Sequence, residues 1–369
     1  MQKIAIVTND SWYAWNMRAN LGRAFKNNGY EVVFICPYDK YSQNIEKEFG
    51  YIDVKVSTKG TNPFDDLKTI YNFYAIYKRI KPDIVLHYTI KPNIYGTIAA
   101  SFLSIPTINN IAGLGTLFIK QNFVTKIAKW LYRFSQKRAM KIFFQNRDDF
   151  EMFVAEGLVD KEKCDTLPGS GVDIEKFKPV NKIDDKEFKF LLVSRMLWAK
   201  GIGEFVEAAK IIKSKYHNIE FQLLGMLDAK TPTAISKKQM QEWVGDGYVS
   251  YLGTSDDVPS AIASVDCVVL PSYYREGTPR VLLEAASMAQ PIITTDNVGC
   301  RDVVDDEING YLCEVKNAND LADKMEMMIS LSEDERKAMG EAGRKKIVKE
   351  FDEKIVIDKY LESIKEILE

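Results

Sequence analysis

Short apolar strands alternate with longer helical segments in this chain, and the alternation runs through it twice. Continuous apolar runs of this length, placed between helices, are typical of a parallel sheet that is covered on both faces. The predicted strands of the first series are residues 4–7, 32–36, 84–87, 107–111 and 142–145, with helices over 21–28 and 65–81.

The same alternation restarts after a segment that is rich in proline, glycine and polar residues. This segment, residues 167–186, is typical of a link between domains. We therefore predict domains over residues 1–178 and 179–350, and we expect a C-terminal helix, residues 351–369, to pack back on the first domain. The second series has predicted strands at 188–194, 220–225, 248–252, 267–271 and 291–295, and helices at 203–215, 281–289 and 318–330.

Both series predict the α/β class, with two doubly wound, Rossmann-like domains. Such sheets bind ligands beyond the carboxyl ends of their strands, so two domains facing each other would have a cleft between them. Nicotinamide enzymes, two-lobed binding proteins, sugar-nucleotide epimerases and glycosyltransferases all use paired domains of this kind. The fold therefore does not identify the function.

The turn after the first strand argues against a dinucleotide-binding protein. Residues 9–18 contain no glycine, although the dinucleotide motif needs glycines there so that the backbone can approach a pyrophosphate. A two-lobed binding protein of the exported type is disfavoured as well, because no secretion signal precedes the first strand.

The charge balance limits the partners that this chain can bind. Its 369 residues include 50 Lys and Arg and 52 Asp and Glu, a net charge of −2, which argues against a general nucleic-acid binder. Residues 1–180 hold 25 basic and 18 acidic side chains, whereas the rest hold 25 and 34. Two halves of opposite sign indicate different partners.

Cysteine spacing and hydropathy limit the cellular location. Five cysteines without CxxC spacing and two histidines do not form a zinc-ligand set, so no metal site is predicted and the thiols are expected to be reduced. No stretch of 18 apolar residues is present. We therefore expect a cytoplasmic protein, soluble or peripherally attached to a membrane.

Two loops in the second half carry residue types that suit a nucleotide sugar. Arg195 and Lys200 follow a predicted strand, where two cations suit a diphosphate, although they could be solvated loop charges. After another strand, Glu276 and Glu284 flank a Gly-Thr-Pro turn that leads into a helix. Carboxylates accept hydrogen bonds from sugar hydroxyls, and helix N-termini bind anions.

These motifs together resemble the family 4 glycosyltransferases, which are retaining enzymes of GT-B fold. The resemblance rests on SRMLWAKG from Ser194, EGTPRVLLE from Glu276, GCRDVV from Gly299, NGY from Asn309 and the linker PGSGVDIEKFKP. It implies that Arg195 and Lys200 hold the donor diphosphate, that Glu276 binds the transferred sugar and that Glu284 binds the ribose. The remaining donor residues that it implies are Gly277, Thr278, Pro279 and Gly225.

Within that family, the first domain is most similar to bacterial enzymes of O-antigen, capsule and glycoprotein-glycan assembly, which extend sugars linked to polyprenyl diphosphates. The matching stretches are residues 12–18, 89–96 and 109–118. Many members carry a histidine near Asn109 and Asn110, and this chain has none there. The acceptor-binding residues implied by the resemblance are Asn16, Arg18, Lys91, Asn110, Gly113 and Gly115.

His87 is the only histidine of the first domain and lies at the end of a predicted strand. It could line the cleft or be a packed histidine, and both readings stay open at this point. A mechanism that depends on a histidine base is therefore in doubt.

Residues 84–147 contain no Asp or Glu and nine Lys or Arg, which indicates an anionic partner. In residues 118–140 these cations alternate with apolar and aromatic residues, as in a helix that docks on anionic lipid. The alternatives are a core helix with a solvated face and, much less favoured, single-stranded RNA binding. The residues that we predict to face the membrane are Lys126, Lys129, Trp130 and Arg133.

The sequence therefore predicts a retaining, metal-independent glycosyltransferase that requires no cofactor besides its UDP-sugar donor. It would transfer an N-acetylhexosamine, GalNAc or GlcNAc, to a polyprenyl-diphosphate-linked sugar at the inner face of the cell membrane. The alternatives are a UDP-sugar 2-epimerase of related fold and a non-enzymatic sugar-binding protein.

Overall fold

The computed structural model describes residues 1–56, 63–114, 123–180, 187–227, 231 and 233–369. It divides into two units: unit 1 comprises residues 1–170 and 354–369, and unit 2 comprises residues 171–353. The first boundary between the units follows residue 170, earlier than the predicted boundary at 178. The second follows residue 353, later than the predicted boundary at 350. The reason is that Val172 exchanges backbone hydrogen bonds with Phe351 and Glu353, and Phe177 lies in the core of unit 2.

Unit 1 is built on a parallel sheet, as the continuous apolar runs predict. Among the described residues its strand order is β3-β2-β1-β4-β5-β6-β7. The strands are β1 (Lys3–Val7), β2 (Glu31–Cys36), β3 (Gly50–Asp53), β4 (Ile84–Tyr88), β5 (Thr107–Ile111), β6 (Lys141–Phe144) and β7 (Cys164–Thr166).

Helices cover both faces of this sheet. The helices of unit 1 are α1 (Ser11–Asn27), α2 (Ser42–Glu48), α3 (Pro63–Ile80), α4 (Thr97–Ser101), α5 (Phe123–Gln136), α6 (Arg147–Ala155) and the last helix of the chain, α13 (Glu353–Leu368). One core contains side chains of α3, α4, α5 and α6, and the core on the other face contains side chains of α1, α2 and α13. A π-helical turn, Pro92–Gly96, links β4 to α4.

Unit 2 repeats this plan with a second parallel sheet. Its strand order in the described part of the chain is β10-β9-β8-β11-β12-β13. The strands are β8 (Phe188–Val193), β9 (Ile219–Leu224), β10 (Ser250–Tyr251), β11 (Cys267–Leu270), β12 (Ile292–Thr295) and β13 (Gly310–Cys313). The helices are α7 (Ile202–Lys213), α8 (Lys237–Gly245), α9 (Val258–Ala263), α10 (Arg280–Ser287), α11 (Ala318–Ser330) and α12 (Glu333–Glu350).

The predicted class of two doubly wound α/β domains is confirmed. In each sheet the strand order reverses once, between β1 and β4 in unit 1 and between β8 and β11 in unit 2. Loops beyond the carboxyl ends of two such strands diverge to opposite faces and leave room for a ligand. Of the helices that the structure describes, none is both long and apolar enough to cross a membrane.

Candidate active site

The loops that follow β8 and β11 lie at the reversal of strand order in unit 2. β8 and β11 are hydrogen-bonded neighbours, although β9 and β10 separate them along the chain. After β8 the chain passes through Arg195 to a short helical turn, Trp198–Lys200, and after β11 it runs from Pro271 to Pro279, where α10 begins. This edge of unit 2 is the candidate active site, and the predicted donor residues lie along it.

Lys200 and Glu276 form a buried ion pair across this reversal. The Lys200 ammonium contacts Oε1 of Glu276, and about nine-tenths of each side chain is shielded from solvent. Ser272 Oγ donates to the same carboxylate oxygen at 3.0 Å. Removing one member of a buried pair leaves an uncompensated charge, a loss of about 3–5 kcal/mol. The site therefore holds a fixed cation and a fixed carboxylate in contact.

Residues outside the predicted set hold the loop that carries Glu276. Asn297 Nδ2 donates to the carbonyl oxygens of Ser272 (3.2 Å) and Tyr274 (3.0 Å), and Thr295 Oγ1 donates to the Ser272 carbonyl (2.5 Å). Ser272 is fully buried. Sequence reasoning missed these residues, because serine, threonine and asparagine at strand ends are common and carry no motif of their own.

Two glycines bring the loops of this edge close together. Gly225, a predicted donor residue, has φ of +142°, and a Cβ atom there would lie 2.7 Å from the Ser194 carbonyl carbon. Gly201, directly after Lys200, has φ of +77°, and a Cβ atom there would lie 2.6 Å from the Pro271 carbonyl carbon. Both positions require a residue without a Cβ atom, because the backbones of neighbouring strand ends occupy that space.

Glu284 lies in the second turn of α10 and pairs with Arg280 on the same helix. Arg280 Nε donates to Glu284 Oε1 at 2.8 Å, an (i, i+4) contact. Burial raises the pKa of the Glu284 carboxyl, and the neighbouring Arg280 guanidinium opposes that rise. A buried carboxylate suits a hydroxyl donor.

The other predicted donor residues differ in exposure. Gly277, Thr278 and Pro279 are buried, and Pro279 is the N-cap of α10, so the first backbone N–H groups of this helix start directly after the Glu276 loop. The first turn of a helix carries N–H groups without intrahelical partners, which favours an anion. Arg195 is exposed, in contrast to Lys200.

The corresponding helix in unit 1, α1, already has carboxylates at its N-terminus. Asp10 Oδ1 accepts from the backbone N–H of Tyr13 at 2.7 Å, and Asp39 Oδ2 accepts from those of Ser11 and Trp12, each at 3.2 Å. These acids fill the position where a dinucleotide fold binds pyrophosphate. The structure thus agrees with the glycine-free turn in excluding a dinucleotide site there.

Arg18 and Asn110, both predicted to bind the acceptor, are buried within unit 1. Arg18 Nη2 donates to the Tyr13 hydroxyl at 2.7 Å, and the guanidinium lies 4.2 Å from the centre of the Tyr88 ring. Asn110 Nδ2 donates to the hydroxyl of Tyr360 on α13 at 3.0 Å. The described residues present no carboxylate to the Arg18 guanidinium. Stacking on the aromatic rings stabilises this cation instead. In this structure both side chains therefore bind other parts of unit 1.

The other described residues that were predicted to bind the acceptor follow β1, β4 and β5, which are neighbouring strands of this sheet. Asn16 Nδ2 donates to the Trp12 carbonyl at 3.0 Å, and Lys91 forms an ion pair with Asp66 on α3 at 3.0 Å. Gly113 has φ of +87°. Gly115 lies outside the described residues. The acceptor-binding role of these residues stays a prediction.

His87 is a packed histidine, so the first of the two readings is wrong. Its side chain is fully buried, with Nε2 2.9 Å from the Tyr77 hydroxyl and Nδ1 2.9 Å from Asn109 Oδ1. Burial lowers its pKa to about 3, so the ring is neutral near pH 7. Gly96 packs directly against this ring, because a Cβ atom at that position would overlap it.

Of the residues predicted to face a membrane, some are only exposed, whereas others contact acidic or carbonyl groups. Lys126 and Trp130 of α5 are exposed, Trp130 by 62%. Lys129 forms an ion pair with Glu156 at 2.7 Å, and the exposed Arg133 donates to the carbonyl oxygens of Glu156 and Gly157. An acid from beyond the acid-free tract, Glu156, therefore neutralises Lys129, and the membrane-facing role of these residues stays a prediction.

Two family descriptions match the chain, one in each unit. Residues 173–346 match the family described as "Glycosyl transferases group 1", and residues 3–146 match "Glycosyl transferase 4-like". The fold is that of a GT-B glycosyltransferase.

Curated relatives cover nearly the whole chain. The chain is 29% identical over 367 residues to N,N'-diacetylbacillosaminyl-diphospho-undecaprenol alpha-1,3-N-acetylgalactosaminyltransferase of Campylobacter jejuni, and the match covers 94% of both proteins. It is 28% identical to UDP-Gal:alpha-D-GlcNAc-diphosphoundecaprenol alpha-1,3-galactosyltransferase of Escherichia coli, covering 88% of this chain and 86% of that protein. The two units of the chain are therefore glycosyltransferase domains, one of the group 1 family and one of the 4-like family.

Solved structures show the same fold at lower identity. A glycosyltransferase from Rickettsia africae aligns with a TM-score of 0.82 at 20% identity, covering 100% of this chain and 99% of that one. The Anabaena protein HepE, solved in complex with UDP and glucose, aligns with a TM-score of 0.78 at 15% identity, covering 99% and 100%.

Proposed function

We propose that this glycosyltransferase transfers an N-acetylhexosamine, GalNAc or GlcNAc, from a UDP-sugar to a sugar linked to a polyprenyl diphosphate. The names of the relatives support this: one is an N-acetylgalactosaminyltransferase for an undecaprenyl-diphosphate-linked sugar, and the other uses UDP-Gal and a diphosphoundecaprenol acceptor. In this chain the proposal rests mainly on the Lys200–Glu276 ion pair, which lies where the strand order reverses between β8 and β11. It joins a cation suited to a diphosphate with a carboxylate suited to sugar hydroxyls.

In the proposed donor complex, each charged group keeps a partner when the donor binds. A lysine ammonium has three N–H donors, so Lys200 donates to a phosphate oxygen while it still contacts Glu276. Glu276 accepts from hydroxyls of the transferred sugar, and Glu284 accepts from the ribose. Gly277 and Thr278, directly before α10, supply backbone donors to sugar and phosphate.

The proposed reaction breaks the bond between the anomeric carbon and the UDP oxygen and forms one from that carbon to the acceptor hydroxyl oxygen. Lys200 and Arg195 stabilise the negative charge that the diphosphate gains. The hydroxyl attacks from the face that UDP leaves, so the anomeric configuration is retained, and its proton passes to a diphosphate oxygen. His87 is not the proton acceptor in this scheme, because its ring is buried and neutral with both nitrogens engaged.

The test is a donor panel with a polyprenyl-diphosphate-linked disaccharide as acceptor. We expect turnover with UDP-GalNAc or UDP-GlcNAc, and an α-linked product by NMR, because the donors are α-anomers and the configuration is retained. An inverted product would exclude the retaining mechanism. Conversion of a UDP-sugar without acceptor would favour the epimerase, and absence of turnover with every donor would favour a sugar-binding protein.

We further propose that the reaction requires no metal and no cofactor besides the donor. Lys200 and Arg195 would supply the positive charge that Mg²⁺ or Mn²⁺ supplies in other glycosyltransferases. The initial rate in excess EDTA is expected to stay within about twofold of the untreated rate. Loss of turnover in EDTA that added Mn²⁺ restores would contradict this proposal.

We also propose that α5 faces an anionic membrane, so that the enzyme acts peripherally at the inner face of the cell membrane. Ile127, Trp130 and Phe134 form an exposed row with (i, i+3, i+7) spacing, and the Trp130 and Phe134 rings are stacked. The exposed cations beside this row are Lys126, Lys137 and Arg138. An apolar row flanked by cations suits the boundary between lipid headgroups and acyl chains.

Charge reversal at Lys126 and Lys137 tests this membrane face. We expect the double change to Glu to release the enzyme from vesicles that contain anionic lipid, because each surface cation contributes about 1 kcal/mol. Turnover of a long polyprenyl acceptor should fall, and turnover of a short, water-soluble acceptor should not. Lys349→Glu with Lys238→Glu, two exposed lysines of unit 2, is the matched control in a sedimentation assay. Equal binding of the two double variants would exclude α5 as the membrane face.

A further inference from the structure

A second helix of unit 1, α3, also carries an exposed apolar row. Phe64, Leu67 and Tyr71 are exposed by 81%, 63% and 67%, and their (i, i+3, i+7) spacing places them on one side of the helix. Side chains of this size are normally covered in a helix that packs on a sheet, and exposed apolar patches mark interaction sites.

The exposed row of α3 points away from the sheet. Thr69, Phe73 and Tyr77 form the buried side of this helix, and Phe73 and Tyr77 belong to the core beneath it. At 100° per residue, the centre of the exposed row lies about 150° around the helix from the centre of the buried side. The same calculation for α5, with Ala128 and Tyr132 on its buried side, gives about the same angle.

The rows of α3 and α5 lie on the same side of unit 1. Both helices contribute to the core on one face of the sheet, and α4 packs against both of them. Phe102, directly after α4, is exposed by 69%. The outward sides of these three helices therefore form one surface with apolar side chains along it, which we call the helical face.

Charge indicates what this helical face binds. The exposed cations on α3 are Lys68, Lys78 and Arg79, whereas the α5 side presents Lys126, Lys137 and Arg138. On α3, Asp66 is already paired with Lys91, which leaves Asp65 as an exposed acid at the start of the helix. Two copies of a cationic face repel each other, so charge complementarity favours an anionic bilayer over a second copy of the chain.

We propose that α3 and α5 together form a two-helix contact with an anionic bilayer, in which the row from Phe64 to Tyr71 inserts beside the row of α5. This inference rests on the proposed membrane face of α5 and extends it. A single amphipathic helix lets the protein roll about the helix axis, whereas two separate rows define a plane. Unit 1 is thereby held in one orientation relative to the lipid that anchors the acceptor.

The test replaces Phe64, Leu67 and Tyr71 together with serine in the full-length chain. We expect vesicle affinity to fall about tenfold in mixed phosphatidylcholine and phosphatidylglycerol, because three inserted side chains are lost. The matched control changes three exposed apolar residues of unit 2 to serine: Val244, Met327 and Val348. Turnover of a short, water-soluble acceptor serves as the folding check, since no residue of the α3 row lies in the candidate active site.

The outcomes separate this inference from the proposed function. If the α5 variant loses vesicle binding while the α3 variant binds like the control, the two-helix contact is overturned and the α5 membrane face stands. If neither variant loses binding, both proposals fail. If the parent is a dimer by light scattering and the α3 variant is a monomer that still binds vesicles, α3 contacts a second copy, which also overturns the inference.

Discussion

Replacing Lys200 with alanine should lower turnover about 100-fold or more, which corresponds to roughly 2.7 kcal/mol of lost transition-state stabilisation. The reason is that Lys200 is the buried cation at the β8–β11 reversal, and charge on the departing diphosphate develops next to it in the proposed reaction. The measurement is kcat with saturating donor and acceptor. Lys210→Ala is the matched control, since Lys210 is a lysine of unit 2 that pairs with Glu207 near the surface.

The ion pair complicates this experiment, and a second variant resolves the difficulty. Lys200→Ala leaves the Glu276 carboxylate buried without its cation, so part of the loss could come from instability. Adding Glu276→Gln to the same chain removes the unpaired charge and keeps the hydrogen bond from Ser272 Oγ possible. If the double variant regains near-normal turnover, Lys200 only neutralises Glu276 and has no role toward the diphosphate.

Most strands were predictable because they are short runs rich in apolar residues between helical segments, and six of the ten strands that match a prediction have four or more consecutive buried residues. The missed strands, β3, β7 and β13, lie at or next to sheet edges. β7 has three residues that are all half-buried, and β3 is exposed at both ends. β13 begins with Gly310, which lies so close to Ile292 that a Cβ atom would overlap its carbonyl oxygen. β3 and β7 bury little surface, so their sequences carry a weaker hydrophobic pattern.

The candidate site was predictable as residue types but not as contacts. Lys200 and Glu276 belong to separate motifs, and their contact depends on β8 pairing with β11, a neighbour relation that no local pattern encodes. The acid-free tract, residues 84–147, shows that contacts in space also change the charges that a count along the sequence suggests. Counting charges along the chain finds nine cations and no acid in this tract, whereas folding brings Glu156 to Lys129 and Asp66 to Lys91. Distances in space, not in sequence, decide which charges are free.

The largest structural effect is expected from Gly201→Ala. Gly201 has φ of +77°, and a Cβ atom there would overlap the backbone of Pro271. The substitution therefore adds a steric clash to the strain of a left-handed alanine, which alone is about 1–2 kcal/mol. Overpacking of a rigid site costs about 1–3 kcal/mol more. The displaced groups are Lys200, which precedes Gly201, and the Ser272–Glu276 loop, which follows Pro271, so donor binding should weaken at least about tenfold.

Gly247→Ala is the matched control, because it separates the clash from the backbone strain. Gly247 has φ of +75°, almost the same as Gly201, but a Cβ atom there would meet no heavy atom within 4 Å. This variant should lose only about 1–2 kcal/mol of unfolding free energy and bind UDP as the parent does. Urea unfolding and titration calorimetry with UDP measure both quantities. If Gly201→Ala has the same unfolding free energy and the same UDP affinity as Gly247→Ala, the strand ends shift without a measurable loss. The close approach of β8 and β11 then does not hold the donor residues in place.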